Sequence, residues 1–295
     1  MKYFKQNGFY FVLVIALIFS SPLAAEITVK DVCKKISGKL ASVSYKECDI
    51  GFELSGAQSV QGMPIIIKEY PPLSSRKPQS RVLMIGGIHG DEYSSVSVVY
   101  KWLQKLERFH SGLFHWKVVP LLNPDGLLRK KSQRMNANGV DLNRNFPTQD
   151  WHKLSQHYWV NRTYKNPRRY PGKDPLSEPE TQWLYDLIEE FKPDVIVAVH
   201  APYGVLDFDG PPRAPKQLGP LYLNLLGAYP GSLGNFAGIE REIPVITIEL
   251  KHAGIMPSRK EITHIWLDMV RWLKKNTPRA VQQLVTPEPI QAGPS

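Results

Sequence analysis

The chain has 295 residues, enough for one large domain or two ordinary ones. Its 42% hydrophobic and 22% charged residues exclude wholesale disorder, and its 25 prolines and 21 glycines follow no repeat, which excludes collagen-like and solenoid folds. The net charge of +10 suits an anionic partner without choosing among nucleic acid, an acidic polymer and a membrane face.

In chain order, Lys2 and Lys5 precede an unbroken apolar run from Phe9 to Phe19, which Ser20, Ser21 and Pro22 end before the small pair Ala24-Ala25. This is the pattern of a secretory signal peptide over residues 1–25. The run falls well short of the roughly 20 apolar residues that span a bilayer. The expectation is therefore a periplasmic or secreted protein with no stable membrane insertion once the leader is cleaved. Cleavage removes two lysines and no acid, leaving +8. The only two cysteines, Cys33 and Cys48, lie in an N-terminal segment, residues 26–60, that shows no strong period. In an oxidising compartment an even pair reads as a disulfide, adding roughly 3 kcal/mol if it acts through loop closure.

Residues 61–70 (QGMPIIIKEY) read as a strand, and a Pro-rich polar loop follows to Ser80. Arg81–Gly87 is a buried strand, Ser94–Leu106 a helix, His115–Leu122 a strand and Pro179–Phe191 a helix with a proline-marked start. Asp194–His200 (DVIVAVH) and Pro244–Leu250 (PVITIEL) are short, β-branched and apolar, as suits central strands covered on both faces. Ile262–Leu273 reads as a closing amphipathic helix, and residues 276–295, with four prolines, as a flexible tail. Strands alternating with helices give an α/β fold with the sheet sandwiched between helices. Residues 61–275 form its main domain.

The chemistry sits at strand ends. The string Gly86-Gly87-Ile88-His89-Gly90-Asp91-Glu92 carries an imidazole and a carboxylate three positions apart on the far side of a glycine turn. Two histidines and one glutamate are a standard zinc set in hydrolases, with the fourth position left to water. His200, which caps Val195–Val199, supplies the second imidazole, since ligands of open α/β sheets gather at the carboxyl ends of strands. Glu249, at the end of another apolar run, is costly to bury unless it serves as the general base. A salt-bridged structural glutamate is the plainer alternative. Arg134 and Arg144 lie ten residues apart in a polar, loop-rich segment, and guanidinium groups bind carboxylates or oxyanions.

Together these strings resemble the zinc carboxypeptidase family and, within it, the murein peptide amidases: HGDE (89–92), NPDG (123–126), RMNANGVDLNRNFP (134–147), SEPET (177–181) and PGSLG (230–234). The likeness covers roughly residues 61–275. It implies a three-layer sandwich with a mixed, about eight-stranded sheet. It also implies one Zn2+ per chain held by His89, Glu92 and His200, with Glu249 as the base. Asn143 and Arg144 hold the substrate carboxylate, and Arg134 steadies the oxyanion. The implied substrates are peptidoglycan-derived peptides, cut at the amide between γ-D-glutamate and meso-diaminopimelate. Cytoplasmic murein peptide amidases act on recycled peptides, whereas a leader and an added cysteine-bearing segment point to intact wall peptides or released fragments. Tyr229 matches the family's mobile tyrosine only loosely. By charge complementarity, Asp207 and Asp209 are candidates for meeting the second ammonium of diaminopimelate, loop capping being their plainer role.

Three readings compete. A metallocarboxypeptidase acting on ordinary peptide C-termini shares every catalytic residue. A deacylase of the aspartoacylase kind shares H-x-x-E but tends to carry a further domain, for which the 46 residues after Glu249 leave no room. A non-catalytic wall-binding protein would not need the full residue set. Nucleic acid is not expected as a partner, because no basic stripe with interleaved aromatics occurs.

Overall fold

Thr28 opens the first helix, α1 (Val29–Lys39): its side chain accepts from the Asp31 amide while Asp31 bonds back to the Thr28 amide. Such a reciprocal cap stabilises a helix start by about 1 kcal/mol. The helix buries Val32, Cys33 and Ile36 on one face. A single turn, α2 (Tyr45–Cys48), follows, and Cys33 and Cys48 are joined in a disulfide. The computed structural model describes residues 27–74 and 77–277, so the expected leader and the tail beyond residue 277 lie outside the described residues.

The remaining elements are β1 (Glu53–Gln58), β2 (Pro64–Tyr70), β3 (Ser80–Ile85), α3 (Tyr93–Phe109), β4 (Phe114–Val119), α4 (Pro124–Leu128), α5 (Trp151–Asn161), α6 (Pro179–Phe191), β5 (Val195–His200), β6 (Leu206–Asp209), β7 (Gln217–Leu218), β8 (Leu221–Tyr222), β9 (Val245–Glu249) and α7 (Arg259–Asn276). The main sheet runs β1-β2-β4-β3-β5-β9-β6. Its four central strands are parallel, and β1, β2 and β6 run antiparallel to their neighbours. Among the described residues it has seven strands where about eight were expected; β7 and β8 form a separate two-stranded ribbon.

Alternation along the strands divides the core. Val82, Met84, Val197, Val199, Ile246 and Ile248 pack with residues of α1, α3 and α7. Leu83, Ile85, Ile196, Ala198 and Val245 face α6 and the short π-helical segment at Gly234–Ile239. The result is the expected helix–sheet–helix sandwich. β1 pairs with β2 on either side of residue 60, and Val32, Ile36, Leu40 and Phe52 join the same core as Val82. The helical period of α1 lies in three residues one turn apart, Val32, Cys33 and Ile36, too few to stand out among lysines.

Candidate metal centre and cleft

The chain leaves β3, builds β4 on one side of it, then crosses to lay β5 on the other. Such a switch point opens a crevice at the carboxyl ends of the parallel strands. His89 and Glu92 occupy the turn between β3 and α3, His200 is the last residue of β5, and Glu249 is the last residue of β9, directly paired with His200. Residues 111 positions apart thus meet because their strands are adjacent.

Nδ1 of His89 and Nδ1 of His200 lie 3.1 Å apart, and the Glu92 carboxylate reaches both, at 2.8 Å from His89 and 3.1 Å from His200. All three side chains are buried. Two donors on a tetrahedral zinc at about 2.0–2.1 Å are about 3.3 Å apart, so the spacing fits such an ion. On the far side of the His89 ring, Nε2 lies 3.1 Å from Asp141 Oδ1. An Nε2–H donated to Asp141 leaves the Nδ1 lone pair facing the cluster, the tautomer a metal ligand needs. Burial alone would raise the carboxyls of Glu92 and Asp141. His89 and His200 beside Glu92, and Arg134 and His89 beside Asp141, instead hold both below the usual carboxylate range.

Arg134 donates from Nε to Asp141 at 3.0 Å, and its Nη1 lies 3.5 Å from Glu92. Arg144 is buried deeply enough that desolvation lowers it to about 10, and its Nε has no hydrogen-bond partner. The Tyr229 ring covers its guanidinium at 4.6 Å, while the Tyr229 hydroxyl donates to the Leu226 carbonyl at 3.0 Å. Asn143 accepts the Leu233 amide at 2.8 Å, tying the arginine segment to the Tyr229 loop. Glu249 Oε2 is buried with no partner, and burial raises its carboxyl. His89, Glu92, Arg134, Asn143, Arg144, His200, Tyr229 and Glu249, with Asp207 and Asp209, line one cleft of about 580 Å³. Every expected site residue is therefore brought to this cleft except Cys33 and Cys48, which are structural.

The family model described as "Zinc carboxypeptidase" matches residues 52–206, just over half of the chain. The chain belongs to the zinc carboxypeptidase family. It is 33% identical to murein peptide amidase A of Vibrio campbellii over 203 residues, 66% of this chain and 78% of that one. It is 32% identical to murein peptide amidase A of Escherichia coli K12 over 234 residues, 75% and 90% of the two chains. The crystal structure of murein-tripeptide amidase from Escherichia coli O157 superposes with a TM-score of 0.53 at 29% identity, covering 76% of this chain and 92% of that one.

In this zinc carboxypeptidase several polar residues that were read only as family strings, or not singled out, shape the site. Asp141 joins His89 to Arg134, and the nearest Arg169 nitrogen lies 4.0 Å from its carboxylate. Asn123 donates to the carbonyls of Ile88 (3.3 Å) and Arg134 (3.1 Å) and so clamps the ligand turn to the arginine segment. Glu178 and Glu180, from the SEPET string, accept from Asn136 Nδ2 at 2.7 and 3.1 Å and brace the same segment from below. The available signal was polarity itself: Asp, Asn and Glu crowded into segments that a cleft must bury, where each needs a partner.

Proposed function

We propose that this chain is an exported, zinc-dependent hydrolase that cleaves the amide between γ-D-glutamate and meso-diaminopimelate in peptidoglycan peptides, with one zinc per chain. The observation that carries the reading is the unpartnered Glu249 carboxylate paired, strand to strand, with a buried His–Glu–His cluster whose spacing suits zinc. The similarity to murein peptide amidases supports the substrate class. Export is supported by the Cys33–Cys48 disulfide together with the leader pattern in residues 1–25.

His89, Glu92 and His200 hold the metal. When bound, it supplies a Lewis acid and lowers the pKa of water toward 7. Arg144, with Asn143 beside it, binds the free carboxylate of the residue that leaves and fixes the scissile amide over Glu249. Glu249, raised by burial and with an oxygen free, takes a proton from the attacking water and returns it to the leaving amine. Arg134, fixed at its Nε by Asp141, offers its remaining N–H groups to the negative charge that develops on the carbonyl oxygen. Asp141 keeps both His89 and Arg134 in place before the substrate arrives.

Mass analysis of a murein tripeptide incubated with the protein tests the proposal, with ordinary C-terminal peptides run alongside. Cleavage at the glutamyl–diaminopimelate bond, lost with a chelator and restored by zinc, is expected. An untouched tripeptide beside ordinary peptides trimmed at their C-termini would replace the amidase reading with that of a carboxypeptidase. No turnover of either, with no zinc bound, would favour a wall-binding protein.

A further inference from the structure

The cleft has an inner end and a mouth, and its arginines are divided between them. Arg144 lies at the inner end, buried under the Tyr229 ring. Arg168 and Arg169 line the same cleft, but their side chains are 52% and 29% exposed. Both reach residues next to the metal ligands. Nη1 of Arg168 lies 2.8 Å from Oδ2 of Asp91, which stands between His89 and Glu92 in the chain. Nη2 of Arg169 lies 3.5 Å from the hydroxyl of Tyr203, three residues after His200 and itself exposed. A substrate whose terminal carboxylate reaches Arg144 enters carboxylate first. The part ahead of its scissile amide must therefore lead back past the metal cluster toward the mouth.

The two mouth arginines are held by a fixed stretch of backbone. With Pro167 they form a single turn of 3-10 helix. Asn166 Oδ1 accepts the Arg168 amide at 2.9 Å, and the Asn166 carbonyl accepts the Trp159 indole N–H at 2.9 Å. Just beyond, the Tyr170 carbonyl accepts the Asp141 amide at 2.8 Å, and Asn145 Nδ2 donates to the Pro171 carbonyl at 2.8 Å. The turn is thus pinned to α5 on one side and to the Asp141–Asn145 segment on the other. Asp91 holds Arg168 at one nitrogen. Arg169 has one ion pair among the described residues, to Asp141 Oδ2 at 4.0 Å, and that oxygen already accepts Arg134 Nε at 3.0 Å. Most of the N–H donors of Arg169 are therefore uncommitted, in the planar fork that matches a carboxylate.

We propose that Arg168 and Arg169 form an anion subsite at the mouth that takes the free α-carboxylate of the γ-linked glutamate. When glutamate is joined through its side-chain carboxyl, the α-carboxylate stands as an anionic branch ahead of the scissile carbonyl. The backbone of an ordinary α-linked peptide is neutral there. The inference rests on the amidase reading and deepens it by naming a second charge that the substrate must carry. Arg144 accepts any terminal carboxylate, and so does not separate an amidase from a carboxypeptidase. The arginine turn does, because it selects for an acid on the acyl side.

The test compares L-alanyl-γ-D-glutamyl-diaminopimelate with the same peptide carrying an amide in place of the glutamyl α-carboxylate, a change that removes the charge and keeps the shape. The zinc-loaded wild type is expected to favour the carboxylate in kcat/KM by about tenfold to a hundredfold, as loss of a charged hydrogen bond implies. Arg168→Gln and Arg169→Gln should each lower that ratio several-fold, and the double variant should bring it close to unity. Arg169→Lys, which keeps the charge without the fork, should retain part of it. A ratio that stays fixed while both peptides slow together would assign the arginines a purely structural role and overturn the proposal, as would a wild type indifferent to the amide. A fixed ratio with an altered preference for diaminopimelate over lysine as the leaving residue would place the arginines on the leaving side and also overturn it. If neither peptide is cut while benzoylglycyl-lysine is, the amidase reading fails, and calorimetry with the two γ-linked peptides decides the subsite. Tighter binding of the carboxylate form, lost in Arg169→Gln, supports it; equal binding of the two, or none, overturns it.

Discussion

Two sets of buried carboxylates occupy this molecule, and they differ in what surrounds them. Glu92 and Asp141 are buried among His89, His200 and Arg134, which hold them ionised despite burial. Glu249, Asp209 and Glu180 are buried with no lysine or arginine against them, and burial raises all three, in Glu249 despite His200 and His89. The first set meets charged or metal-ligating side chains of the chain itself: Glu92 within the His–Glu–His cluster and Asp141 behind it. The second set is incomplete: Glu249 and Asp209 face the cleft, where a proton or a ligand charge completes them, while Glu180 lies under the arginine segment and is completed by its own proton. Among the buried acids, Glu92 is marked by the histidines it meets, and Glu249 by the partner it lacks.

The largest break in this contrast comes from Glu249→Gln. If the unpartnered oxygen is the base, the variant keeps its zinc stoichiometry and loses turnover by about a hundredfold to ten-thousandfold. Metal analysis and steady-state kinetics on the same preparation check both halves. Near-normal turnover would move Glu249 into the structural set.

Asp141→Asn probes the other side. Its carboxylate accepts from His89 and Arg134 at 3.1 and 3.0 Å. The amide keeps the shape but removes the charge. Zinc affinity is expected to fall by about tenfold to a hundredfold, the usual effect of removing a partner of a metal-bound histidine. Competition with a chromophoric chelator measures it. Unchanged affinity would show that His89 is oriented by packing alone.

The contrast also explains how much could be read from the sequence. Strands β3, β5 and β9 announce themselves as apolar runs, and polar residues at their ends, His200 and Glu249, stand out because such positions rarely tolerate them. The helix over Pro179–Phe191 was legible to the residue because Pro179 marks its first turn. Short edge strands were not: β6 is four residues, LDFD, two of them acids, and its pattern becomes intelligible only beside β9. α5 was missed because aromatic and polar residues alternate through it with only Trp151 and Ser155 buried. Asp141 was invisible for another reason. Its importance lies in touching His89, 52 positions away, and no local pattern encodes that contact.

Glu180 offers the finest test, because it isolates burial from catalysis. It is wholly inaccessible at the start of α6, accepting from Asn136 Nδ2 at 3.1 Å and the Val60 amide at 3.3 Å. Burial, with a contribution from Asp125, raises it to about 7. An unfolded glutamate ionises near 4.5. Between these two values the folded chain retains a proton that the unfolded chain has released. Stability from this group is therefore full below about pH 4.5 and declines as the pH rises through 7, by about 3 kcal/mol in all. Glu180→Gln cannot ionise, so the difference in Tm between variant and wild type should shift in the variant's favour by several degrees from pH 5 to pH 8. Thermal unfolding by circular dichroism at several pH values reads this directly. A Tm difference that stays constant over that range would mean that Asn136 and Val60 stabilise the carboxylate as fully as the cations around Glu92 do, and the division between completed and uncompleted acids would no longer follow from the missing cation.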